Sequence, residues 1–147
     1  ITSSLKEFPA LSLGAFEATA FEMLQVYTTF ARFGSRVPLK MIHRVDNLDG
    51  YEMFTPEAVP AEQVLTPGES GTGQSARARG LTSESAGKTG TTSEYRDAWF
   101  AGFLANHVAV VWTGYDDNTP IKLSGASGAL PIWTDYMTAM SRMIGPE

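Results

Sequence analysis

The segment GKTGTTSEYRDAWFAG, residues 87–102, contains the pattern that decides the fold. Its first half, GKTGTT, contains one lysine, two glycines and three threonines, and it predicts a short extended strand. Its second half turns aromatic and, with the following HVAVVWTGY, predicts two further strands in an antiparallel pair. We expect the first strand to pair with the second, and the second with the third. The predicted strands are residues 86–92, 97–104 and 107–114, with Ala105 and Asn106 as the tight turn between the last two.

Two amphipathic helices flank this pattern. The first spans residues 19–34, with the capping-box pair Thr19 and Glu22 at its start and Gly34 at its end. The second opens at Pro131, where the missing N–H of proline costs nothing. Its predicted apolar stripe consists of Trp133, Tyr136, Met137, Met140 and Ile144.

The rest of the chain predicts less regular structure. Residues 37–54 predict a strand, a turn and a second strand, and residues 55–86 predict loop with a short helix near 62–65. The segment DDNTPIKLSGASG, which begins at residue 116, also predicts loop. Together these elements favour an α+β fold, an antiparallel sheet with helices packed on it, in a single partial domain spanning residues 1–147.

Composition and charge exclude several classes of function. Of the 147 residues 43% are hydrophobic and 18% are charged, which is typical of one compact globular domain. A net charge of −5 without a Lys/Arg run argues against a nucleic acid or an anionic membrane as partner. The absence of cysteine excludes disulfides, thiolate metal sites and a cysteine nucleophile. Because the chain begins at Ile1 and not at Met, we expect it to be a processed product or a piece of a longer protein.

Three other groups of residues carry little chemistry. GESGTGQS, residues 68–75, approaches a phosphate-binding loop, but Gln74 replaces the lysine that would reach the phosphates, so a flexible glycine loop is favoured. His43 and His107 lack carboxylates at ligand spacing, and we expect no metal and no cofactor. The neighbouring Asp116 and Asp117 are expected to cap a loop.

Lys88 has the most distinctive surroundings of the titratable residues. Gly87 and Gly90 carry no side chain, so another backbone can come close to this strand. Thr89 and Thr91 fall on one face of an extended strand and offer hydroxyl donors beside the ammonium. This pattern predicts a docking edge for an extended anionic ligand, with an ordinary surface lysine as the alternative.

Beyond this pattern, five ordered blocks resemble one known family. They are PALSLGAFEATAFEMLQVYTTFARFG, GKTGTT, DAWFAG, VVWTGYDDN and SGASGALPIW. In this order they resemble the C-terminal part of the transpeptidase domain of class A penicillin-binding proteins, which are bifunctional peptidoglycan synthases. The K-T-G motif at Lys88 is shared with class A β-lactamases.

The resemblance implies a β-lactamase/penicillin-binding-like fold and a serine-type D,D-transpeptidase as the parent. In that family a serine in S-x-x-K, assisted by S-x-N, attacks a D-Ala-D-Ala stem peptide and then passes the acyl group to an amine, which forms a cross-link. β-Lactams acylate the same serine. The implied catalytic residues are Lys88, for charge, and Thr91, whose N–H is half of the oxyanion hole. The implied substrate-binding residues are Lys88, Thr89, Gly90, Thr91 and Thr92.

The chain departs from the family pattern in its nucleophile. S-x-N does not occur. S-x-x-K occurs from Ser3 to Lys6, too close to Lys88 for the family's order of motifs, and again from Ser85 to Lys88, where the lysine is that of K-T-G itself and an extended strand puts the two side chains on opposite faces. We interpret the Ser3–Lys6 match as coincidence and expect the nucleophile to lie outside this chain, which leaves enzymatic activity of the chain uncertain. One alternative is a non-catalytic relic of the domain that binds peptides or a partner. Another is a nucleotide-binding domain that uses residues 68–75.

The resemblance also implies the partners and the location. The expected partners are D-Ala-D-Ala stem peptides, β-lactams and the remainder of the parent protein, without nucleic acid and without membrane insertion by this segment. No apolar run reaches the ~20 residues of a membrane span. The expected location is therefore the periplasmic or extracytoplasmic face of the bacterial cytoplasmic membrane, with the anchor in the missing N-terminal part.

Overall fold

A computed structural model of the chain describes residues 17–65, 85–104 and 107–144. Helices and antiparallel strands are both present among them, which confirms the predicted α+β class. A 3₁₀ turn follows β5, and a single π-helical turn leads into α2. The elements are α1 (Ala20–Ala31), β1 (Ser35–Arg36), β2 (Val45–Asp46), β3 (Glu52–Phe54), β4 (Glu62–Gln63), β5 (Ser85–Thr91), the 3₁₀ turn (Ser93–Tyr95), β6 (Asp97–Leu104), β7 (His107–Gly114), the π-helical turn (Gly125–Ala129) and α2 (Leu130–Ile144).

The main sheet has the order β5-β6-β7 with both pairs antiparallel, as the sequence predicts. The register places Thr89 opposite Phe100 and Lys88 opposite Ala101. Directly opposed residues of an antiparallel pair point to the same face, and successive residues point to opposite faces. The two faces of β5 therefore carry different chemistry. The predicted turn at 105–106 lies outside the described residues.

The core lies on one face of this sheet, under α2. Phe100 packs against Trp133 with ring centroids 4.9 Å apart, and Met137 is fully buried beside them. The Trp133 Nε1–H donates to the carbonyl of Ala109 in β7 at 3.1 Å, so the indole is both buried and satisfied. The buried core residues are Ala98, Phe100, Leu104, Ala129, Trp133 and Met137.

The Phe100 ring needs a gap in the neighbouring strand. A Cβ built on Gly87 would lie 2.6 Å from the tip of that ring, closer than packed atoms allow. Glycine at this position of β5 thus lets the ring cover the strand. The sequence predicts that Gly87 lets another backbone come close, whereas the space left by its missing side chain is taken by the Phe100 side chain of the adjacent strand.

Helix α1 packs against β6 and β7 on the opposite face. Its predicted capping box is present, since the Glu22 N–H donates to Thr19 Oγ1 at 3.2 Å and the Thr19 N–H donates to Glu22 Oε2 at 2.9 Å. The helix ends at Ala31 rather than at Gly34. Gly34, with φ of +86°, donates its N–H to the carbonyl of Thr29 at 2.9 Å, a C-terminal cap that favours glycine.

The helix predicted near Glu62–Leu65 is wrong. Residues 62–63 form β4, which pairs with β1. The N–H groups of Val64 and Leu65 both donate to the carbonyl of Gly34, at 3.0 and 3.3 Å. These bonds tie the segment to the end of α1 and outweigh its weak local helix propensity.

The strand predicted over residues 37–45 is much shorter. Only Val45 and Asp46 pair with β3. Upstream, Gln25 of α1 takes the place of a partner strand, because its Nε2 donates to the carbonyl of Val37 and its Oε1 accepts from the N–H of Leu39, each at 2.9 Å. Backbone groups satisfied by a side chain need no ladder.

The stripe predicted for α2 is partly wrong. Trp133 and Met137 are buried and Met140 is half-buried, at helical spacing, but Tyr136 is 53% exposed. Tyr136 precedes Met137 by about 100° of helical rotation, which carries its ring off the sheet-facing side. The side chain of Ile144 lies outside the described residues.

The helical path also starts earlier than predicted. The π-helical turn occupies the end of the predicted loop, so Pro131 enters a run that is already helical. Ser124 and Ser127 form a capping box at its start. Neither described helix combines the length and apolarity that a bilayer crossing requires.

We predict that Met137→Ala lowers the free energy of unfolding of this chain by about 2–5 kcal/mol, because it leaves a cavity beside Trp133. Met143→Ala, in the same helix but with an 81% exposed side chain, is the matched control and should change it by less than about 0.5 kcal/mol. Urea unfolding followed by circular dichroism measures both. Equal effects of the two substitutions would contradict the assigned core.

Candidate functional site

The K-T-G motif lies on β5, the outer strand of the main sheet as far as the chain is described. Thr89 and Thr91 oppose Phe100 and Ala98, so their side chains share the α2 side of the sheet, as the sequence predicts. Lys88 starts from the other side, but its Nζ curls around the strand and donates to the carbonyl of Thr89 at 2.8 Å. The ammonium thus reaches the outer edge of the strand, while the two threonine side chains stay on its α2 side.

The main chain of β5 also presents hydrogen-bonding groups at this edge. Because the Thr89 carbonyl accepts from Lys88, it points away from β6. In an antiparallel ladder the residues of one strand alternate between facing the partner and facing away, so the N–H groups of Thr89 and Thr91 point outward together. The next residue obeys the same alternation, since the Thr92 N–H donates inward to the carbonyl of Asp97 at 3.2 Å.

A cavity of about 470 Å³ opens between this strand and the start of α1. Met23, Tyr27 and Trp99 give it an apolar wall, and burial raises the pKa of the Tyr27 phenol above its usual value. Carboxylates and the Lys88 ammonium supply charge of both signs. The remaining lining residues are Glu17, Ala18, Lys88, Thr89, Gly90, Thr91, Thr92, Asp97 and Ala101. Such a cleft suits a ligand with an apolar body and an anionic end.

Asp97 fixes the turn that follows the K-T-G strand. Its backbone N–H donates to Thr92 Oγ1 at 2.8 Å, and the Thr92 hydroxyl donates back to Asp97 Oδ2 at 3.2 Å. The other carboxylate oxygen accepts from Trp112 Nε1 at 2.9 Å. The end of β5 is therefore tied to both β6 and β7. The sequence reasoning missed Asp97, although its position at the head of a strand that follows K-T-G-T-T was a usable signal.

Gly125 approaches the strand from the α2 side. Its N–H donates to Thr91 Oγ1 at 2.9 Å. A Cβ on Gly125 would lie 2.5 Å from the carbonyl oxygens of Gly90 and Trp99, so the turn packs directly on the backbone of β5 and β6. A Cβ on Gly90 would instead meet Trp99 Cβ at 3.2 Å, on the other side of the sheet, so the expectation that a ligand backbone comes close at Gly90 stays a prediction. Sequence reasoning assigned Gly125 to a loop, and no local pattern marked its contact.

The other sequence candidates do not join this site. The phosphate-loop-like residues 68–75 and the Ser3–Lys6 pair lie outside the described residues. His43 is exposed and His107 is half-buried at the start of β7. In the described part of the chain, no three histidine, aspartate or glutamate side chains gather as metal ligands.

The prediction that Asp117 caps a loop is confirmed. Its Oδ1 accepts from the N–H of Thr119 at 3.0 Å. Hydrogen bonds from the side chain and then the backbone of Thr119 hold the pKa of Asp117 below its usual value. Asp117 is thus occupied within its own loop, far in sequence from β5.

Known proteins share this architecture and sequence. Residues 4–138 match the family model described as the penicillin binding protein transpeptidase domain. Penicillin-binding protein 1B of Vibrio cholerae is 34% identical over 145 residues, and the match covers 90% of this chain. Penicillin-binding protein 1B of Escherichia coli is 38% identical over 148 residues, again 90% of this chain. Penicillin-binding protein 1A of Aquifex aeolicus is 35% identical over 157 residues, 98% of this chain.

The chain spans a minor part of these relatives, since the matches cover 19%, 17% and 22% of their respective lengths. The crystal structure of penicillin-binding protein 1A from Haemophilus influenzae is similar with a TM-score of 0.76 and 26% sequence identity. That match covers 90% of this chain and 28% of the other. The arrangement of helices and sheet described above is therefore that of a known fold.

We predict that Asp97→Ala destabilises this chain by about 1–2 kcal/mol, because Trp112 Nε1 and the Thr92 hydroxyl both lose their acceptor. Asp135→Ala, which removes an exposed carboxylate of α2, is the control and should change stability by less than about 0.5 kcal/mol. Thermal unfolding of the purified chain gives both values. If Asp97→Ala melts like the control, the carboxylate does not hold the turn.

Proposed function

The chain belongs to the penicillin-binding protein transpeptidase family, and from this premise we propose that it forms one wall of the acylation cleft of a peptidoglycan D,D-transpeptidase. It is the C-terminal portion of that domain, a single unit over residues 1–147. The parent protein cross-links D-Ala-D-Ala stem peptides and is acylated by β-lactams. It acts on the extracytoplasmic side of the bacterial cytoplasmic membrane.

The observation that carries this proposal is the edge of β5. A cation, Lys88, lies there beside outward-pointing main-chain N–H groups, and the side chains of Thr89 and Thr91 lie on the adjoining α2 side. An extended peptide that ends in a carboxylate would add to such an edge as a further strand. Its carboxylate would gain charge-assisted hydrogen bonds, which are roughly twice as strong as neutral ones.

Each residue of the motif has a distinct proposed role. The Lys88 ammonium supplies the positive charge of the cleft, and Thr89 and Thr91 donate to the carboxylate of substrate or drug. Gly90 keeps the strand bare so that the ligand backbone can come close, and Thr92 holds the turn through Asp97. The Thr91 N–H stabilises the oxyanion of the tetrahedral intermediate.

The attacking serine and its base belong to S-x-x-K and S-x-N motifs on the opposite wall, in the remainder of the parent protein. A serine hydroxyl is a poor nucleophile until a neighbouring base takes its proton. The wall described here therefore binds and polarises the scissile carbonyl but does not form the covalent bond.

We predict that Lys88→Met in the complete parent protein lowers the second-order rate of acylation by a fluorescent penicillin about tenfold or more, the scale of a hydrogen bond to a charged group. Lys40→Met is the matched control, because Lys40 is also exposed and its Nζ likewise donates to a backbone carbonyl, that of Pro56 at 3.1 Å. Stopped-time gel fluorescence gives both rates. An unchanged rate in Lys88→Met would remove Lys88 from the cleft and overturn the proposal.

A second prediction concerns this chain by itself. It forms no covalent adduct with a fluorescent penicillin, even after long exposure, because no serine of the chain is expected to have an activating base. Denaturing-gel fluorescence and intact-mass spectrometry make the test, with the complete parent protein as positive control. A stoichiometric mass gain mapped to Ser3 would show that the Ser3–Lys6 pair is a working nucleophile.

A further inference from the structure

One hydrogen bond links the proposed cleft to the interior of the domain. The Gly125 N–H donates to Thr91 Oγ1 at 2.9 Å across a separation of 34 residues. Gly125 is buried, while Thr91 is exposed at the sheet edge. The contact therefore ties the Thr91 hydroxyl, on the α2 side of the exposed edge, to an interior turn.

The direction of this bond decides what the Thr91 hydroxyl offers. A hydroxyl has one hydrogen to donate and two lone pairs to accept with. Gly125 contributes a donor, so it occupies a lone pair and leaves the hydrogen available. A ligand group that accepts, such as a carboxylate oxygen, can take that hydrogen. A ligand donor, by contrast, meets a hydroxyl oxygen that already accepts one hydrogen bond from Gly125. We infer that Gly125 is a positioning residue that holds Thr91 as a donor for a carboxylate, an inference that rests on the proposed function.

The turn that carries Gly125 is rigidly placed. Its start is held by the Ser124–Ser127 capping box, in which the Ser124 N–H donates to Ser127 Oγ at 2.9 Å and the Ser127 N–H donates to Ser124 Oγ at 3.3 Å. Its end runs directly into α2, which the buried Trp133 and Met137 fix to the sheet. The position and direction of the Gly125 N–H are consequently determined by the packing of the core and not by the strand edge.

The residue type at 125 follows from the same contact. A Cβ there would lie 2.5 Å from the carbonyl oxygens of Gly90 and Trp99 and 3.0 Å from Thr89 Cβ. Two of these three atoms belong to backbone, which cannot move aside cheaply. An alanine would push the turn away from β5 and lengthen the bond to Thr91.

The test uses the complete parent protein and compares penicillin with its methyl ester, which lacks the anionic carboxylate. Gly125→Ala should slow acylation by the free acid at least fivefold and slow the ester much less, so the acid-to-ester rate ratio falls. Gly128→Ala is the matched control in the same turn, because its Cβ would meet Ala98 Cβ and Thr113 Oγ1, each at 3.2 Å, and not β5. Gly128→Ala should leave the ratio unchanged.

A double-mutant cycle shows whether Gly125 acts through Thr91. In a Thr91→Val background, which has no hydroxyl to hold, Gly125→Ala should lower the ratio no further. Thr91→Ser, which keeps the hydroxyl, should retain most of the wild-type ratio. Equal slowing of acid and ester by Gly125→Ala, or additive effects in the cycle, would reduce Gly125 to a structural residue and overturn the inference.

A second measurement covers the case in which Gly125→Ala does not fold. Amide hydrogen exchange at Gly125 should be slow in the wild type and in Thr91→Ser, and fast in Thr91→Val, with the acid-to-ester ratio following the protection. A Thr91 variant in which the acid-to-ester rate ratio falls while the Gly125 amide stays protected from hydrogen exchange would overturn the inference. An unchanged acylation rate in Lys88→Met would instead overturn the proposed function. Failure of the inference about Gly125 and failure of the proposed function are therefore distinguishable.

Discussion

The tilted packing of Phe100 against Trp133, at 4.9 Å between ring centroids, is the contact on which the rest of the structure depends. It fixes which side of β6 faces α2. Because side chains alternate along a strand, Trp99 and Ala101 must then face α1. Residues opposed in the β5–β6 register point to the same face, so Thr89, opposite Phe100, lies on the α2 side and Lys88, opposite Ala101, on the other. A slip of one residue in the β5–β6 register would place Lys88 on the α2 side and Thr89 on the other, so the present arrangement of the edge would be lost.

Local pattern sufficed for the elements whose partners are near in sequence. The β5-β6-β7 order and the Thr19 capping box follow from strand alternation and from a three-residue spacing, and both are present. Gly125 was missed because a bond between its backbone N–H and a side chain 34 residues away leaves no periodic trace. Asp97 had a local signal in its position after K-T-G-T-T, but its bond to Trp112, 15 residues away, left none. The error near residues 62–65 has the same origin, since the carbonyl of Gly34 holds that segment from outside it.

Sequence therefore located the strand that carries the K-T-G motif, whereas the contacts that support this strand became visible only in the structure. Asp97 braces the end of β5 from within the sheet, through Thr92 and Trp112. Gly125 braces it from the core side. An exposed edge strand is ordinarily a mobile part of a sheet, and Lys88, bonded to the carbonyl of its own neighbour, covers part of the main chain that another strand could otherwise pair with. The K-T-G strand is therefore supported at its end and on its core side, and part of its outer edge is already occupied by Lys88.

The three tryptophans of the chain lie in three different environments, and this gives the molecule its own optical reporters. Trp133 is 1% exposed and emits from an apolar, quencher-shielded interior. Trp112 is 40% exposed and open to aqueous quenchers, and its ring centroid lies 6.3 Å from that of Trp99, within range for excitation energy to pass between them. Trp99 lines the cavity, so occupancy of the cleft alters the emission of this pair while the Trp133 signal reports only on the integrity of the fold. Filling of the cleft and loss of structure can thus be followed separately in one unlabelled sample.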